Sequence, residues 1–274
     1  MATANVKYHS KRGFHYDPIA RTMDIYLDGE RMGGFASFET LYAAPTAATT
    51  AVIGQQVQDP MGGLWRYGYF GAAITNPLLA AAGYKQPTDL TPGATTVGSY
   101  TIACTGSGDA SCTADQYANS TIIIGAAAAN RRFYHIKSNT ASATTTTTLT
   151  LYHPVRYAIA GTEWATINPC PWADVRPMGS GATYDSACGM PLQPVTATYY
   201  AWMKTRGPIF GTVMSTVPGA AANDRLVVFH QDGSMKMADE AWNAGTSEQI
   251  CGWLMPRTAS TYAAGDQGVY LQIE

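Results

Sequence analysis

With 274 residues, 17 basic against 19 acidic side chains and a formal net charge of -2, the chain has no electrostatic pull toward nucleic acid or a membrane surface. Charged residues make up only 13% of it, about half the usual share, while 46% hydrophobic and 11% aromatic residues supply enough to bury a core and exclude intrinsic disorder. No run approaches the roughly 20 apolar residues that span a bilayer, and the basic start lacks the apolar h-region of a secretory signal, so synthesis and folding in a cytoplasm are expected.

Residues 1–33 read as an extended N-terminal arm. Lys7, Lys11, Arg12 and Arg21 stand among few acids, with Tyr8, Phe14 and Tyr16 between them and no amphipathic period. Such a segment suits contact with another surface. The same stretch also reads as a first strand pair, Met23-Asp24-Ile25-Tyr26-Leu27 alternating before an Asp28-Gly29 turn. Both readings hold together in an arm that ends in a hairpin.

A β-rich body is expected over 34–167. Phe35 to Thr50 reads as a loop or weak strand, and Val57 to Tyr67 as strand, turn and strand around Asp59-Pro60 and Gly62-Gly63. Thr75-Asn76-Pro77 predicts the start of one short helix that Gly83 ends. From Ala94 to Leu151 strand signals dominate: the β-branched run Thr121-Ile122-Ile123-Ile124, the alternating Phe133-Tyr134-His135-Ile136-Lys137, and Thr144 to Thr148 leading into Leu149-Thr150-Leu151-Tyr152. Dense Pro, Gly, Cys and Trp predict a structured connecting loop over 168–194. Residues 195–274 return to short strands packing on the body, with turns at Arg206-Gly207-Pro208, Pro218-Gly219 and Asp232-Gly233. Many short strands with little helix predict a mainly β protein, an antiparallel barrel or jelly-roll-like sandwich.

Five cysteines without CxxC or metal-type spacing suit buried thiols in a reducing compartment. Cys104 and Cys112 bracket a Gly/Ser/Asp turn, so a hairpin disulfide between them is the alternative. No GxSxG, HExxH, P-loop or Rossmann fingerprint is present. His135 and His153 read as cross-strand neighbours, either ordinary strand residues or a metal pair. Asp232, Asp239 and Glu240 read as turn and solvated acids in preference to the paired carboxylates of a glycosidase. Trp65, Trp172, Trp242 and Trp253 read as core or interface aromatics, with sugar stacking as the other use. Neither a cofactor nor a catalytic set is expected.

Four ordered stretches resemble the small β-rich virion structural proteins of tailed bacteriophages, the head decoration or cement type. They are Gly54-Gln55-Gln56-Val57 through Trp65-Arg66-Tyr67 to Gly71-Ala72-Ala73 and Leu78-Leu79; Thr121 to Ile124 with Phe133 to Ser138; Leu149 to Arg156 followed by Asn168-Pro169 and Trp172; and Tyr199 to Pro208. They cover roughly residues 52 to 212 in the family's order, while the arm lies outside the resemblance. Tyr200 and Trp202, two apart, share one strand face, and Tyr199, Ala201 and Met203 the other.

The resemblance implies a non-enzymatic protein on the capsid surface of a virion, bound to the major capsid protein and forming a homotrimer, with no nucleic-acid or membrane partner. On this reading Lys7, Tyr8, Lys11, Arg12, Phe14, Tyr16 and Arg21 contact the capsid, and Tyr200, Trp202 and Arg206 form the subunit interface. The alternative is a tail or fibre adhesin that binds a host-surface glycan; a polysaccharide-degrading enzyme is the third reading.

Overall fold

The structure, a computed structural model, describes residues 12–17, 22–27, 30–48, 50–77, 79–83, 90–106, 112–126, 130–143, 145–179, 186–212, 225–238, 249–256 and 267–274. Before the first core cluster come β1 (Arg12–Asp17), β2 (Thr22–Leu27), β3 (Glu30–Phe35), α1 (Phe38–Leu41), β4 (Gln56–Gln58), β5 (Leu64–Phe70) and β6 (Ala81–Ala82). Next are β7 (Leu90–Pro92), β8 (Thr101–Gly106), β9 (Thr121–Ala126), β10 (Asn130–Asn139), β11 (Thr146–Leu151) and β12 (Trp164–Asn168). The chain continues through β13 (Arg176–Pro177), β14 (Ala187–Pro191), β15 (Tyr199–Gly211), β16 (Leu226–Phe229), β17 (Met235–Met237), β18 (Ile250–Leu254) and β19 (Gln267–Gln272).

Strands β7 to β12 close into a barrel in the order β10-β11-β8-β7-β12-β9. Alternation builds it. Along β8 and β11 every second residue is buried, because successive side chains of a strand point to opposite faces. Ile102, Ile122, Ile124, Ile136, Leu149 and Ile167 fill the interior. Their β-branched or bulky side chains suit both a pleated wall and a dry filling. Thr146 to Thr148 of the Thr run lie in β11, with Thr105 Oγ1 and Thr146 Oγ1 3.2 Å apart across the strands.

The remaining strands form one 13-stranded sheet along the path β1-β2-β3-β4-β5-β15-β19-β18-β16-β17, with β6, β13 and β14 off that path. The mainly β, antiparallel architecture expected from the sequence is therefore present, as a closed barrel beside an open sheet. The barrel is an insertion in the chain: β6 before it pairs with β13 after it, Ala82 opposite Arg176. Strand pairing also crosses the linear division at residue 168. β5 pairs with β15, Tyr67 opposite Trp202, so residues on the two sides of the barrel share one sheet. The 168–194 segment carries β13 and β14. Long-range pairing of this kind leaves no local signal.

Three local expectations are corrected. Ala81–Ala82 are strand, not helix, because both are buried between β13 and β14, and tertiary pairing overrides a weak helix propensity. Within the segment expected to be loop or weak strand lies α1, capped by Ser37, whose Oγ accepts the Thr40 N–H at 3.3 Å. Pro208 does not end its strand. β15 runs on to Gly211 with Pro208 opposite Tyr270; pairing with β5 stops at Arg206, so the proline falls where the strand has lost that neighbour. For Cys104 and Cys112 the buried-thiol reading holds and the alternative hairpin disulfide does not: both are free and buried, Cys104 in β8 and Cys112 bridging to Ser142.

Candidate functional site

The arm is a three-stranded meander. β1 pairs with β2 in register from Arg12 opposite Leu27 to Asp17 opposite Thr22, and β2 pairs with β3, Leu27 opposite Glu30. Its sheet link to the body is narrow: Phe35 opposite Gln58 in a parallel pair, with the Ala36 N–H donating to Gln58 O at 3.0 Å. β1 is the outermost strand of the sheet. Of the arm residues expected to touch a partner, Arg12, Phe14 and Tyr16 occupy alternate positions of β1, opposite Leu27, Ile25 and Met23. Lys7, Tyr8, Lys11 and Arg21 lie outside the described residues.

The two faces of β15 separate as the spacing requires. Met203, with Tyr199 and Ala201, packs in a cluster around Phe70 and Val175, while Tyr200 and Trp202 meet Tyr67 on the other side at 5.9 and 5.0 Å. Tyr200 also exchanges backbone hydrogen bonds with Thr46. Both aromatics are thus half-buried and engaged within the chain, and Arg206 alone of the three expected interface residues is exposed. Farther along, a surface appears that no single stretch of sequence announces. Pro208, Tyr270, Trp253 and Leu226 stand opposite one another across β15, β19, β18 and β16. Trp253 and Tyr270 stack at 4.6 Å; Trp253, Leu226 and the neighbouring Phe210 are exposed. The reverse of this sheet carries Ile209, Val227, Leu254, Val269 and Leu271 in a buried cluster. Both faces are apolar, where an antiparallel sheet with a watered side usually alternates with polar residues.

One ion pair is buried in the sheet. Asp59, 1% exposed, and Lys204, 5% exposed, approach to 3.5 Å. Asp59 Oδ1 accepts the N–H groups of Met61 and Gly63 at 2.9 and 2.8 Å, and Oδ2 accepts the Trp65 indole N–H at 2.9 Å. Burial lowers the Lys204 ammonium below its usual range, against the pull of Asp59. With every oxygen of Asp59 engaged, the pair locks the β4–β5 turn to β15. Trp65, among the candidate sugar-stacking residues, is fully buried beside it.

A cleft of about 630 Å³ opens between sheet and barrel. The loop before β4 forms one wall, Asn119, His135, Tyr152 and His153 from the barrel form the other, and Trp172 and Cys170 lie at its base. Gly54, at φ +78, lets the wall turn; a Cβ there would sit 3.2 Å from Cys170 Sγ and 3.4 Å from the Trp172 ring. Arg66 stacks on Trp172 at 4.4 Å, donates to Gly54 O at 2.8 Å, and is held by the Glu274 carboxylate from 2.8 Å. Asn119, itself at φ +60, donates to Ile53 O at 2.9 Å and accepts the Tyr152 hydroxyl at 2.8 Å. The Cys170 N–H donates to Ser120 Oγ at 2.8 Å, fastening the base to the barrel. Burial pushes the Cys170 thiol up, which argues against a nucleophilic role.

The histidine pair expected across strands does line this cleft, His135 through β10 and His153 just past β11, the Tyr152 N–H donating to His135 O at 3.1 Å.

Comparison with protein families, curated proteins and solved structures finds no match to this chain.

Among the described residues no three His, Cys, Asp or Glu side chains gather as a metal centre. Asp232 is a turn residue, its Oδ1 accepting the Ser234 N–H and hydroxyl at 2.9 and 2.6 Å; Asp239, Glu240 and Trp242 lie outside the described residues. Sequence reasoning missed Arg66, Glu274, Asn119 and Tyr152 as one group, because strands distant in the chain bring them together.

Proposed function

We propose that this chain is a non-catalytic structural protein of a phage virion, which decorates the capsid by binding the major capsid protein and associates as a trimer on its surface. The observation that carries this reading is the arm: three strands whose sheet link to the body is one parallel pair, ending in an outer strand whose far edge has no partner among the described residues. An open edge accepts a strand from another protein through main-chain hydrogen bonds. Low charge suits a surface that spends its life in contact with protein. The virion assignment rests on the four ordered stretches named above, and the trimer on the apolar face that exposes Trp253, Leu226 and Phe210, with Arg206 beside it.

Deleting residues 2–21 tests it, since this removes β1 and every basic residue expected to face the capsid. The truncated protein is expected to keep the circular dichroism and thermal unfolding of the body and to lose binding to purified capsids. Wild-type occupancy by the truncated protein would overturn the proposal. Unfolding of the body on truncation would do so too, because the arm would then be part of the core and not a docking element.

A further inference from the structure

The geometry points to a second function for the cleft between sheet and barrel: it binds a neutral saccharide. The inference does not depend on where in a virion the chain sits.

Its volume, about 630 Å³, falls in the range of clefts that hold small ligands. The walls are fixed before any ligand arrives. Asn119 is tied to the loop at Ile53 and to Tyr152, and Arg66 is tied to Gly54, Glu274 and Trp172. Such groups lose little freedom on binding, which is what preorganisation contributes to affinity.

Charge then narrows the ligand. Arg66 is the cleft's one permanent cation among its lining residues, and the carboxylate of Glu274 already takes two of its nitrogens at 3.0 and 2.8 Å. A phosphate or sialic acid would have to displace that carboxylate. A peptide strand would find little free backbone on the loop wall from Ile53 to Gln55. Gly54 N–H donates to Tyr67 O, Gln55 N–H to Val52 O, and the carbonyls of Ile53 and Gly54 receive Asn119 and Arg66.

What the cleft does present is the surface of Tyr152, 40% exposed with its hydroxyl anchored, beside the imidazoles of His135 and His153 and the Gln56 amide. An aromatic face flanked by planar donors and acceptors matches a pyranose, with its apolar C–H face and equatorial hydroxyls. Trp172, read from the sequence as core aromatic or sugar platform, lies at the base of the same cleft.

The test is an array of neutral hexose and N-acetylhexosamine oligosaccharides, printed with sialylated and phosphorylated members, followed by calorimetric titration of the best-bound neutral trisaccharide. Neutral members are expected to bind, and Tyr152→Ala and His153→Ala, both at exposed positions, to weaken binding by about tenfold each, roughly 1.4 kcal/mol. Protein lacking residues 2–21 should bind the same sugar undiminished, which keeps this result separate from capsid docking. Absence of binding to every neutral member, preference for the anionic members, or binding indifferent to both substitutions would each overturn the inference.

Discussion

The barrel and the open sheet are made of the same kind of strand and end in opposite conditions. The barrel joins β10 to β9 and so has no edge, and its outer positions on β8 and β11 are mostly hydroxylated, as with Thr101, Thr105, Thr146 and Thr148. Among the described residues the sheet keeps an edge at β1, and it shows apolar residues on both sides near Trp253. Closure satisfies backbone groups within the chain, whereas an open sheet passes that requirement to a neighbour. The difference teaches that self-sufficiency and capacity for assembly are divided between two parts of one molecule, with the cleft at their seam.

The comparison can be broken most severely in the sheet. Asp59→Ala would leave Lys204 buried without a counter-charge and deprive Met61, Gly63 and Trp65 of their acceptor. A loss of about 3–5 kcal/mol is expected, read as an earlier urea transition for the sheet while hydrogen exchange in β8, β9 and β11 stays slow. Equal loss of protection in barrel and sheet would show that the two open as one unit.

Next in size is the converse cut. Ile136→Ala empties a site 0% exposed at the centre of the barrel, for an expected loss of about 3 kcal/mol. Protection should fall in the barrel strands and persist at Val227, Leu254 and Val269 of the sheet. Collapse of both regions would remove the distinction.

The smallest effect is a pH dependence confined to the barrel. Burial tends to raise the Glu163 carboxyl, but the N–H groups of Ala160 and Gly161, at 2.9 and 3.0 Å, and Arg132 at 3.9 Å outweigh it, and the group titrates below the usual carboxylate range. A carboxyl depressed in the folded state contributes stability above its unfolded pKa, near 4.3, and loses it as pH falls through the lower folded value. Glu163→Gln is therefore expected to cost the barrel about 1 kcal/mol at neutral pH and to flatten its stability profile below about pH 4. An unchanged acid profile in the variant would rule Glu163 out as the source.

What was legible in the sequence was whatever is local. The alternation of Phe133 to Lys137, the β-branching of Thr121 to Ile124 and the Asp232-Gly233 turn are encoded within a few residues, and each is found in place. The two faces of Tyr199 to Met203 follow from a period of two. Pairing partners are another matter. Nothing near Tyr67 specifies Trp202, and nothing near Arg66 specifies Glu274, so the cleft and the Asp59–Lys204 pair were invisible although every residue in them was in view. Pro208 misled for a related reason: proline is excluded from central strands, and whether a strand is central depends on neighbours far along the chain.

The thiols carry a practical consequence. Cys104 and Cys112 lie in the barrel cluster, Cys188 and Cys251 in the two sheet clusters, and Cys170 beneath the cleft. Burial pushes Cys104 up to about 12 and raises Cys170, Cys188 and Cys251 as well. At neutral pH Cys104, Cys170, Cys188 and Cys251 are protonated and shielded, so an alkylating reagent reaches one only when its surroundings open. The native chain thus contains its own set of chemical clocks, and peptide mapping after timed alkylation would read them separately for barrel, sheet and seam.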